Sequence, residues 1–219
     1  MSLELKKRII TSVFLLSLLI LMSLYPFVLI ISSIVIGLIS WIEFYALISK
    51  IVKKNDVKSK TLRFIYKSSS LLYLSLLVFF VISAKLINLD LYFALIYSIL
   101  ISIMSDVGGL VIGKIFKGKK LNKISPNKTI SGSLGSFIFS LLLVPFFLKY
   151  FNDYNILMII LITVIISLTS QLGDLLISLL KRKAKVKNTS DLLPGHGGIL
   201  DRIDGIILAV PMGLLIFSI

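Results

Sequence analysis

Residues 156–180 read ILMIILITVIISLTSQLGDLLISLL, a stretch in which Asp174 is the only charged residue. A helix needs about 20 apolar residues to cross the hydrocarbon core of a bilayer, so this stretch predicts a transmembrane helix. The whole chain has the same character, because 57% of its 219 residues are hydrophobic and only 16% are charged. This composition argues against a soluble globular domain, in which roughly 45–50% of residues are apolar.

Six further apolar stretches predict an all-α, polytopic integral membrane helix bundle with about seven transmembrane helices. The first two are separated only by a turn at Pro26. The six stretches are roughly Ile9–Tyr25, Phe27–Ile48, Ser68–Ile87, Leu91–Ile112, Leu134–Leu148 and Ile203–Ile219.

The basic residues predict the orientation of the bundle. If the N-terminus is cytoplasmic and seven helices alternate, every lysine and arginine except Lys85 and Lys149 falls on the cytoplasmic side. Cytoplasmic loops of membrane proteins carry an excess of these residues, so we expect the N-terminus and the long loops to be cytoplasmic. The net charge of +14 has the same explanation, and we predict contacts with membrane lipids rather than nucleic acid.

Asp174 is the first candidate functional residue. A carboxylate at membrane depth costs about 2.5–3.5 kcal/mol or more, and such residues usually mark a functional site. A structural ion pair with Lys181 or Arg182 is the alternative. The chain has no cysteine and one histidine, His196, which excludes thiolate chemistry and a metal site built from several histidines.

Residues 193–204 read LPGHGGILDRID and form the second candidate. The Pro-Gly-His-Gly-Gly run cannot be regular helix, and it predicts a tight loop whose backbone N–H groups can face an anion. Asp201 and Asp204 can lie on one side of the following helix, although a solvated helix cap would also explain them. Carboxylates, cations and a glycine loop together suit phosphate chemistry with Mg²⁺. We expect His196 to donate to a phosphate or to the loop rather than to bind metal.

An upstream region adds Ser105-Asp106 and the loop 123–129, KISPNKT, which combines hydroxyls and cations suited to an anion. An ordinary basic loop is the alternative. Gly108–Lys114 spells G-x-x-x-x-G-K, but Ile115 follows where a P-loop needs Ser or Thr. We therefore predict that Gly109 and Gly113 pack between helices.

The segment Ser178–Asp204 resembles the signature of the phosphatidate cytidylyltransferases, or CDP-diacylglycerol synthases. Ser170–Asp174, Ser105-Asp106 and Ser125–Thr129 resemble further blocks of that family. Asn188 departs from the pattern, which has aspartate there. The signature residues present are Ser178, Lys181, Arg182, Lys187, Pro194, His196, Gly197, Gly198, Asp201, Arg202 and Asp204.

The resemblance implies a nucleotidyltransferase of phospholipid biosynthesis that converts CTP and phosphatidic acid to CDP-diacylglycerol and pyrophosphate. It implies Mg²⁺ on Asp174 and Asp201, with a second cation left open, and it favours a homodimer. The implied catalytic residues are Asp174, Asp201, Lys181, Arg182, His196 and Arg202. The implied substrate-binding residues are Ser105, Asp106, Ser125, Lys128, Thr129, Lys187, Gly197, Gly198 and Asp204.

We expect a single membrane domain, 1–219, in the cell membrane, with its active site facing the cytoplasm. Helical spans would occupy 1–104, and the catalytic part 105–219 would carry the loops 114–133 and 181–202. A CTP-dependent lipid-alcohol kinase, which transfers the γ-phosphate, is the alternative enzyme. A transporter or a catalytically inactive scaffold is the non-enzymatic alternative.

Overall fold

A computed structural model describes residues 3–54, 56–121, 125 and 128–218. Over these residues the chain is all-helical and has no β-strand, as the sequence predicted. A 3₁₀ turn, Leu148–Tyr150, follows the sixth helix. The helices are α1 (Leu3–Leu24), α2 (Pro26–Ile51), α3 (Val57–Ile87), α4 (Leu89–Phe116), α5 (Ile130–Leu141), α6 (Val144–Phe147), α7 (Ile156–Lys183) and α8 (Ile206–Phe217).

Among the described residues, six segments are long and apolar enough to cross a membrane, and the protein is therefore a multi-pass membrane protein. They are Leu5–Leu24 of α1, the helices α2, α3, α4 and α7, and the segment Ile130–Tyr150. The predicted seventh span is represented by α8, an apolar helix of only 12 residues. It begins at Ile206 rather than at Ile203, and Ile219 lies outside the described residues.

Helix boundaries differ from the apolar stretches in two places. The helix α3 begins at Val57, well before Ser68, so several cations that we predicted in a loop lie on its first turns. The stretch Leu134–Leu148 is not one helix, because α5 ends at Leu141 and α6 begins at Val144. Pro145 has no backbone N–H to continue the helical ladder, which explains the break.

Local sequence explains where three helices begin. Pro26 occupies the first turn of α2, where its missing N–H costs nothing. The Asn88 side chain accepts hydrogen bonds from the N–H groups of Asp90 and Leu91 and caps α4. The Thr129 hydroxyl accepts from Gly132 N at 3.0 Å and caps α5.

The chain divides into two compact units. The first unit comprises Met1–Leu86 and Leu180–Ile203, and the second comprises Ile87–Leu179 and Asp204–Ile219. Each unit is therefore assembled from segments that are far apart in sequence. The predicted division into 1–104 and 105–219 stays a prediction.

Close packing of α4 against α5 organises the second unit. A Cβ added to Gly108 would collide with the Gly135 carbonyl oxygen and the Phe139 side chain, and one added to Gly109 would meet the Ser136 hydroxyl. A Cβ added to Gly113 would lie 3.1 Å from the Thr129 hydroxyl and 3.5 Å from Gly132 Cα. The glycines of the P-loop-like stretch thus serve helix packing, as predicted.

Candidate functional site

The segment 184–203, which we name the glycine loop, belongs to the first unit. Leu193 N donates to Gly197 O at 2.8 Å, and His196 N donates to Leu193 O at 2.9 Å. Gly195 and Gly197 have φ of +76° and +84°, values that favour glycine because it lacks a Cβ. The predicted tight, non-helical loop is confirmed.

Asp201 joins the two ends of the glycine loop. Its Oδ1 accepts from Lys181 Nζ at 2.6 Å. Its Oδ2 accepts from Thr189 N at 2.8 Å, Thr189 Oγ1 at 3.0 Å and Gly198 N at 3.0 Å. The side chain is only 4% exposed. Both carboxylate oxygens thus already receive protein donors, and the residue holds the loop closed.

The pKa of Asp201 reflects opposing effects. Burial acts to raise it, but the hydrogen bonds from Lys181 and from the N–H groups of Thr189 and Gly198 outweigh burial. The pKa therefore lies below the ordinary value for aspartate. The carboxylate is ionised at neutral pH, and it can pair with the Lys181 ammonium under physiological conditions.

Glu43 is a second buried carboxylate at the loop, and our sequence reasoning assigned it no role. It lies on α2 and is 4% exposed. Its Oε1 accepts from Ser190 Oγ at 2.6 Å and from Ile199 N at 3.1 Å. Its Oε2 accepts from Thr189 Oγ1 and Leu200 N, both at 2.8 Å. A signal was present, because Glu43 is the only charged residue between Pro26 and Ser49.

Gly197 and Gly198 lie inside this hydrogen-bonded frame. A Cβ on Gly198 would overlap the Thr189 hydroxyl and the Glu43 carboxylate. Gly197 N donates to Leu193 O at 3.1 Å, and Gly198 N donates to Asp201. These two N–H groups therefore hold the loop together, and the substrate-binding role expected of Gly197 and Gly198 stays a prediction.

The first helix contacts the glycine loop near His196. Thr11 Oγ1 donates to Pro194 O at 3.0 Å, and Ser12 Oγ lies 3.3 Å from His196 Nε2. His196 Nδ1 is buried and has no hydrogen-bond partner among the described residues. A buried nitrogen of this kind needs an explanation, and a ligand oxygen would satisfy it.

Three predicted cations at the loop remain available. Arg182, Lys187 and Arg202 are exposed, and they make no ion pair within the described part of the first unit. Lys181 differs from them, because it is paired with Asp201. The loop therefore presents cationic side chains whose charge the first unit does not neutralise.

The second unit brings two other predicted residues together at Asp174. The carboxylate forms an ion pair with Lys128 and accepts from Ser178 Oγ at 3.2 Å. Its side chain is 23% exposed. The partner is Lys128 of the upstream loop rather than Lys181 or Arg182, the neighbours that we considered. The Asp174 side chain is more exposed than that of Asp201, which is 4% exposed.

Gln171, one turn before Asp174, carries another buried atom that lacks a hydrogen-bond partner among the described residues. Its Oε1 accepts from Ser133 Oγ at 2.5 Å. Its Nε2 is buried without a partner among the described residues. We had noted Gln171 only as part of a family block and had given it no role.

The remaining predicted residues have varied environments. Ser105 is fully buried, and its carbonyl accepts from Ser136 Oγ at 2.7 Å. Asp106 is exposed on α4. Asp204 accepts from Gly205 N at 3.0 Å. Of the upstream loop, Ser125 O accepts from Lys128 N, while Lys123, Ile124, Pro126 and Asn127 lie outside the described residues.

The donors present fit Mg²⁺ better than a softer metal. No group of three or more His, Cys, Asp or Glu side chains suited to a metal occurs among the described residues. Mg²⁺ does not need such a cage, because it usually takes one or two carboxylates, and substrate phosphates and water complete its shell. The accessible carboxylate of Asp174 meets that requirement.

Curated proteins named phosphatidate cytidylyltransferase are similar to this chain over 121 residues, or 54% of its length. The identity is 42% for Staphylococcus haemolyticus (strain JCSC1435), 45% for Staphylococcus aureus (strain COL) and 40% for Staphylococcus saprophyticus (strain ATCC 15305). The match covers 46% of each relative, so the chain spans about half the length of the curated relatives it matches.

The family comparison covers nearly the whole chain. The Cytidylyltransferase family matches residues 3–219, a range that includes both units, the glycine loop and Asp174. With its membrane helices and its loop of buried carboxylates and exposed cations, the chain belongs to the Cytidylyltransferase family.

Proposed function

We propose that the protein is a phosphatidate cytidylyltransferase, which converts CTP and phosphatidic acid to CDP-diacylglycerol and pyrophosphate. The observation that carries the proposal is a set of exposed cations around the glycine loop that make no ion pair among the described residues of the first unit: Arg182, Lys187 and Arg202. Both substrates are phosphate anions, and arginine and lysine are the usual phosphate-binding side chains. Family membership and the names of the relatives support the same reaction.

The reaction needs charge neutralisation more than acid–base catalysis. An oxygen of the lipid phosphate attacks the α-phosphorus of CTP and forms the new P–O bond. The bond between the α-phosphorus and the bridging oxygen breaks, and pyrophosphate leaves. The nucleophile is already anionic, so no strong general base is required. Positioning and electrostatic stabilisation supply the catalysis.

In this proposal the glycine loop holds the phosphates. Arg182, Arg202 and Lys187 neutralise charge on the triphosphate or the lipid phosphate. His196 donates a hydrogen bond to a phosphate oxygen, which would satisfy its unpartnered ring nitrogen. Lys181 holds Asp201 and so maintains the loop that carries the other groups.

We further propose that Asp174 and Asp201 are magnesium ligands, with the number of cations open. When bound, Mg²⁺ would act as a Lewis acid and orient the phosphates. The accessibility of Asp174 supports its assignment. Asp201 has a structural role in addition, because its oxygens hold Thr189 and Gly198.

The test is pyrophosphate release by purified protein in detergent with CTP, phosphatidic acid and Mg²⁺. We expect lipid-dependent release in the wild type, and a loss of at least about 100-fold in kcat for Asp174→Asn, as expected when a stabilising electrostatic contact is removed. Asp153→Asn, at an exposed carboxylate in another part of the chain, should keep full activity. A folded wild type that releases no pyrophosphate would exclude the reaction.

CTP labelled on its γ-phosphate separates the proposed reaction from that of a lipid-alcohol kinase. In the proposed reaction the label leaves as pyrophosphate. In a kinase reaction the label would pass to the hydroxyl of a lipid alcohol such as diacylglycerol, which is supplied beside phosphatidic acid for this test, and CDP would be released. Label in the lipid fraction would replace the proposed function with the alternative.

We also propose that the protein lies in the cell membrane with its glycine loop facing the cytoplasm, and that it acts as a homodimer. The distribution of lysine and arginine supports the orientation. The cytoplasm would supply CTP, while the acyl chains of the other substrate stay in lipid. Mass measurement of the detergent-solubilised protein would establish the oligomeric state.

A further inference from the structure

An apolar groove of about 430 Å³ lies between α1 and α2 in the first unit. We name it the α1–α2 groove. Phe14 and Leu18 line it from α1, and Val28, Ile31 and Val35 line it from α2. These residues belong to segments long enough to span a membrane. The volume lies within the range of about 300–1,000 Å³ that is usual for small-molecule pockets.

One end of the groove is formed by the glycine loop. Leu193, Ile199, Ile203 and Arg202 contribute to its wall. Arg202 is the only charged residue among those that line it, and it has no ion pair within the described part of the first unit. The groove is therefore apolar along the helices and cationic where it meets the loop.

The first turns of α1 add positive charge near the same loop. A Cβ on Gly195 would contact the side chains of Arg8 and Lys7. Both cations are exposed and without an ion pair among the described residues of the first unit. Phe14 lies six residues after Arg8, which corresponds to about 9 Å along the helix.

We propose that the α1–α2 groove binds one acyl chain of the lipid substrate and so determines which chain lengths the enzyme accepts. This inference rests on the proposed function. An apolar groove that ends at an exposed arginine complements a lipid with an anionic phosphate and a long tail. Lipid tails are as apolar as the groove, so selection among chains depends on packing and shape.

The positions of the two ends of the groove predict which part of it a short or a long acyl chain would occupy. Glu43 of α2 contacts the glycine loop. Along α2, Val35 is seven residues nearer to Glu43 than Val28 is. Seven residues correspond to about 10 Å along a helix. A short chain whose phosphate lies at Arg202 would therefore occupy the part near Val35. Only a long chain would reach Val28.

The first experiment measures KM for phosphatidic acid with palmitoyl chains and with octanoyl chains. We expect Val28→Phe to raise KM for the long-chain lipid about tenfold and to change KM for the short-chain lipid less than twofold. A tenfold change is about 1.4 kcal/mol of binding free energy. The kcat should remain within twofold for both lipids.

Ser75→Phe provides the matched control. Ser75 lines a smaller apolar cavity of about 210 Å³ formed by α2 and α3, and no charged residue lines that cavity. The control should leave both KM values unchanged. Equal KM changes for long and short chains in Val28→Phe, or no change in an active enzyme, would overturn the proposal.

A second experiment does not depend on turnover. Phosphatidic acid that carries a photoreactive group at the end of an acyl chain should label peptides of α1 and α2, and Val28→Phe should reduce this labelling several-fold. A phosphatidylcholine probe should label these peptides weakly. Equal labelling by both probes would show a groove that holds any membrane lipid, and labelling elsewhere would also overturn the proposal.

The two experiments separate failure of the inference from failure of the proposed function. If the wild type shows no pyrophosphate release but phosphatidic acid labels the groove selectively, the reaction is wrong and the lipid site stands. If release occurs and neither KM nor labelling responds to Val28→Phe, the reaction stands and the groove assignment is wrong.

Discussion

Glu43 and Asp201 each place a carboxylate inside the protein. The glycine loop supplies all the donors to Glu43, whereas Asp201 also accepts from Lys181 of α7. A buried carboxylate without partners would be strongly destabilising. Here Glu43 accepts four hydrogen bonds, two from backbone N–H groups and two from hydroxyls. The loop itself has little regular structure, so these carboxylates replace the hydrogen bonds that a helix would provide.

Removal of the Glu43 carboxylate should open the loop. Glu43→Ala leaves the N–H groups of Ile199 and Leu200 and the Ser190 hydroxyl without their acceptor, while the Thr189 hydroxyl can still donate to Asp201. A buried unsatisfied group costs about 1–3 kcal/mol. For Glu43→Ala we expect the unfolding free energy to fall by at least about 2 kcal/mol and kcat to fall by a larger factor than KM rises. Glu43→Gln keeps one acceptor oxygen, so its loss of unfolding free energy should be smaller. Thermal unfolding in detergent and steady-state kinetics measure these effects.

Trypsin accessibility gives an independent readout for Glu43. Lys185, Lys187 and Arg202 are cleavage sites in or beside the loop. Faster cleavage at these sites in Glu43→Ala than in Asp153→Ala would support the positioning role. Unchanged cleavage and unchanged kcat would show that the loop keeps its conformation without Glu43.

The pKa of Asp201 predicts a pH dependence of stability. Because the folded-state pKa lies below the unfolded value of about 3.9, the ionised group stabilises the fold above that pH. This contribution is lost as the pH falls through the folded-state pKa. The difference in Tm between wild type and Asp201→Asn should be constant from about pH 5 to 8 and should shrink below about pH 4. A difference that persists undiminished at lower pH would contradict the assignment.

At the scale of elements, small residues decide how closely two helices approach. Gly108 on α4 and Gly135 on α5 are in contact through their backbones, and there is no room for a Cβ at either position. Gly108 to Lys114 matches three of the four specified positions of a nucleotide-binding motif, but only superficially, since the stretch lies within α4. The helical environment, rather than the letters, determines the role of these glycines.

The close α4–α5 contact predicts that substitutions at two adjacent residues of α5 will differ in their effect on stability. Gly135→Val should lower the unfolding free energy by about 1–3 kcal/mol or more, because overpacking forces the helices apart. Leu134→Val, at a side chain that is 58% exposed, should change stability by less than about 1 kcal/mol. Thermal unfolding in the same detergent compares them. Equal effects of the two substitutions would show that the close approach does not limit stability.

At the scale of the whole molecule, the distribution of cations predicts which face of the membrane each loop occupies. The chain has no cysteine, so single cysteines can be introduced without background labelling. We expect a membrane-impermeant thiol reagent to label Asp153→Cys in intact cells and Lys58→Cys only after permeabilisation. The reverse pattern would invert the proposed orientation and move the glycine loop away from cytoplasmic CTP.

The membrane helices, the non-helical glycine loop and the positions of the candidate cations could all be predicted from the amino-acid sequence. These features depend on properties within one segment: the length of an apolar run, a cluster of glycines, or an isolated charge such as Asp174. Because these properties are local, the predicted boundaries of α3 and α8 differed from those in the structure. Polar residues can extend a helix beyond its apolar part, and an apolar run can begin before its helix does.

Which side chains contact one another could be learned only from the folded protein. Thr189 and Glu43 are 146 positions apart, and no local pattern relates them. The partner of Asp174 proved to be Lys128, and Ser105 proved to be buried between helices. Apolar periodicity specifies that a helix crosses the membrane, but not which neighbour its few polar groups will contact. Those contacts depend on how the helices pack, because each buried polar group must find a partner inside the protein.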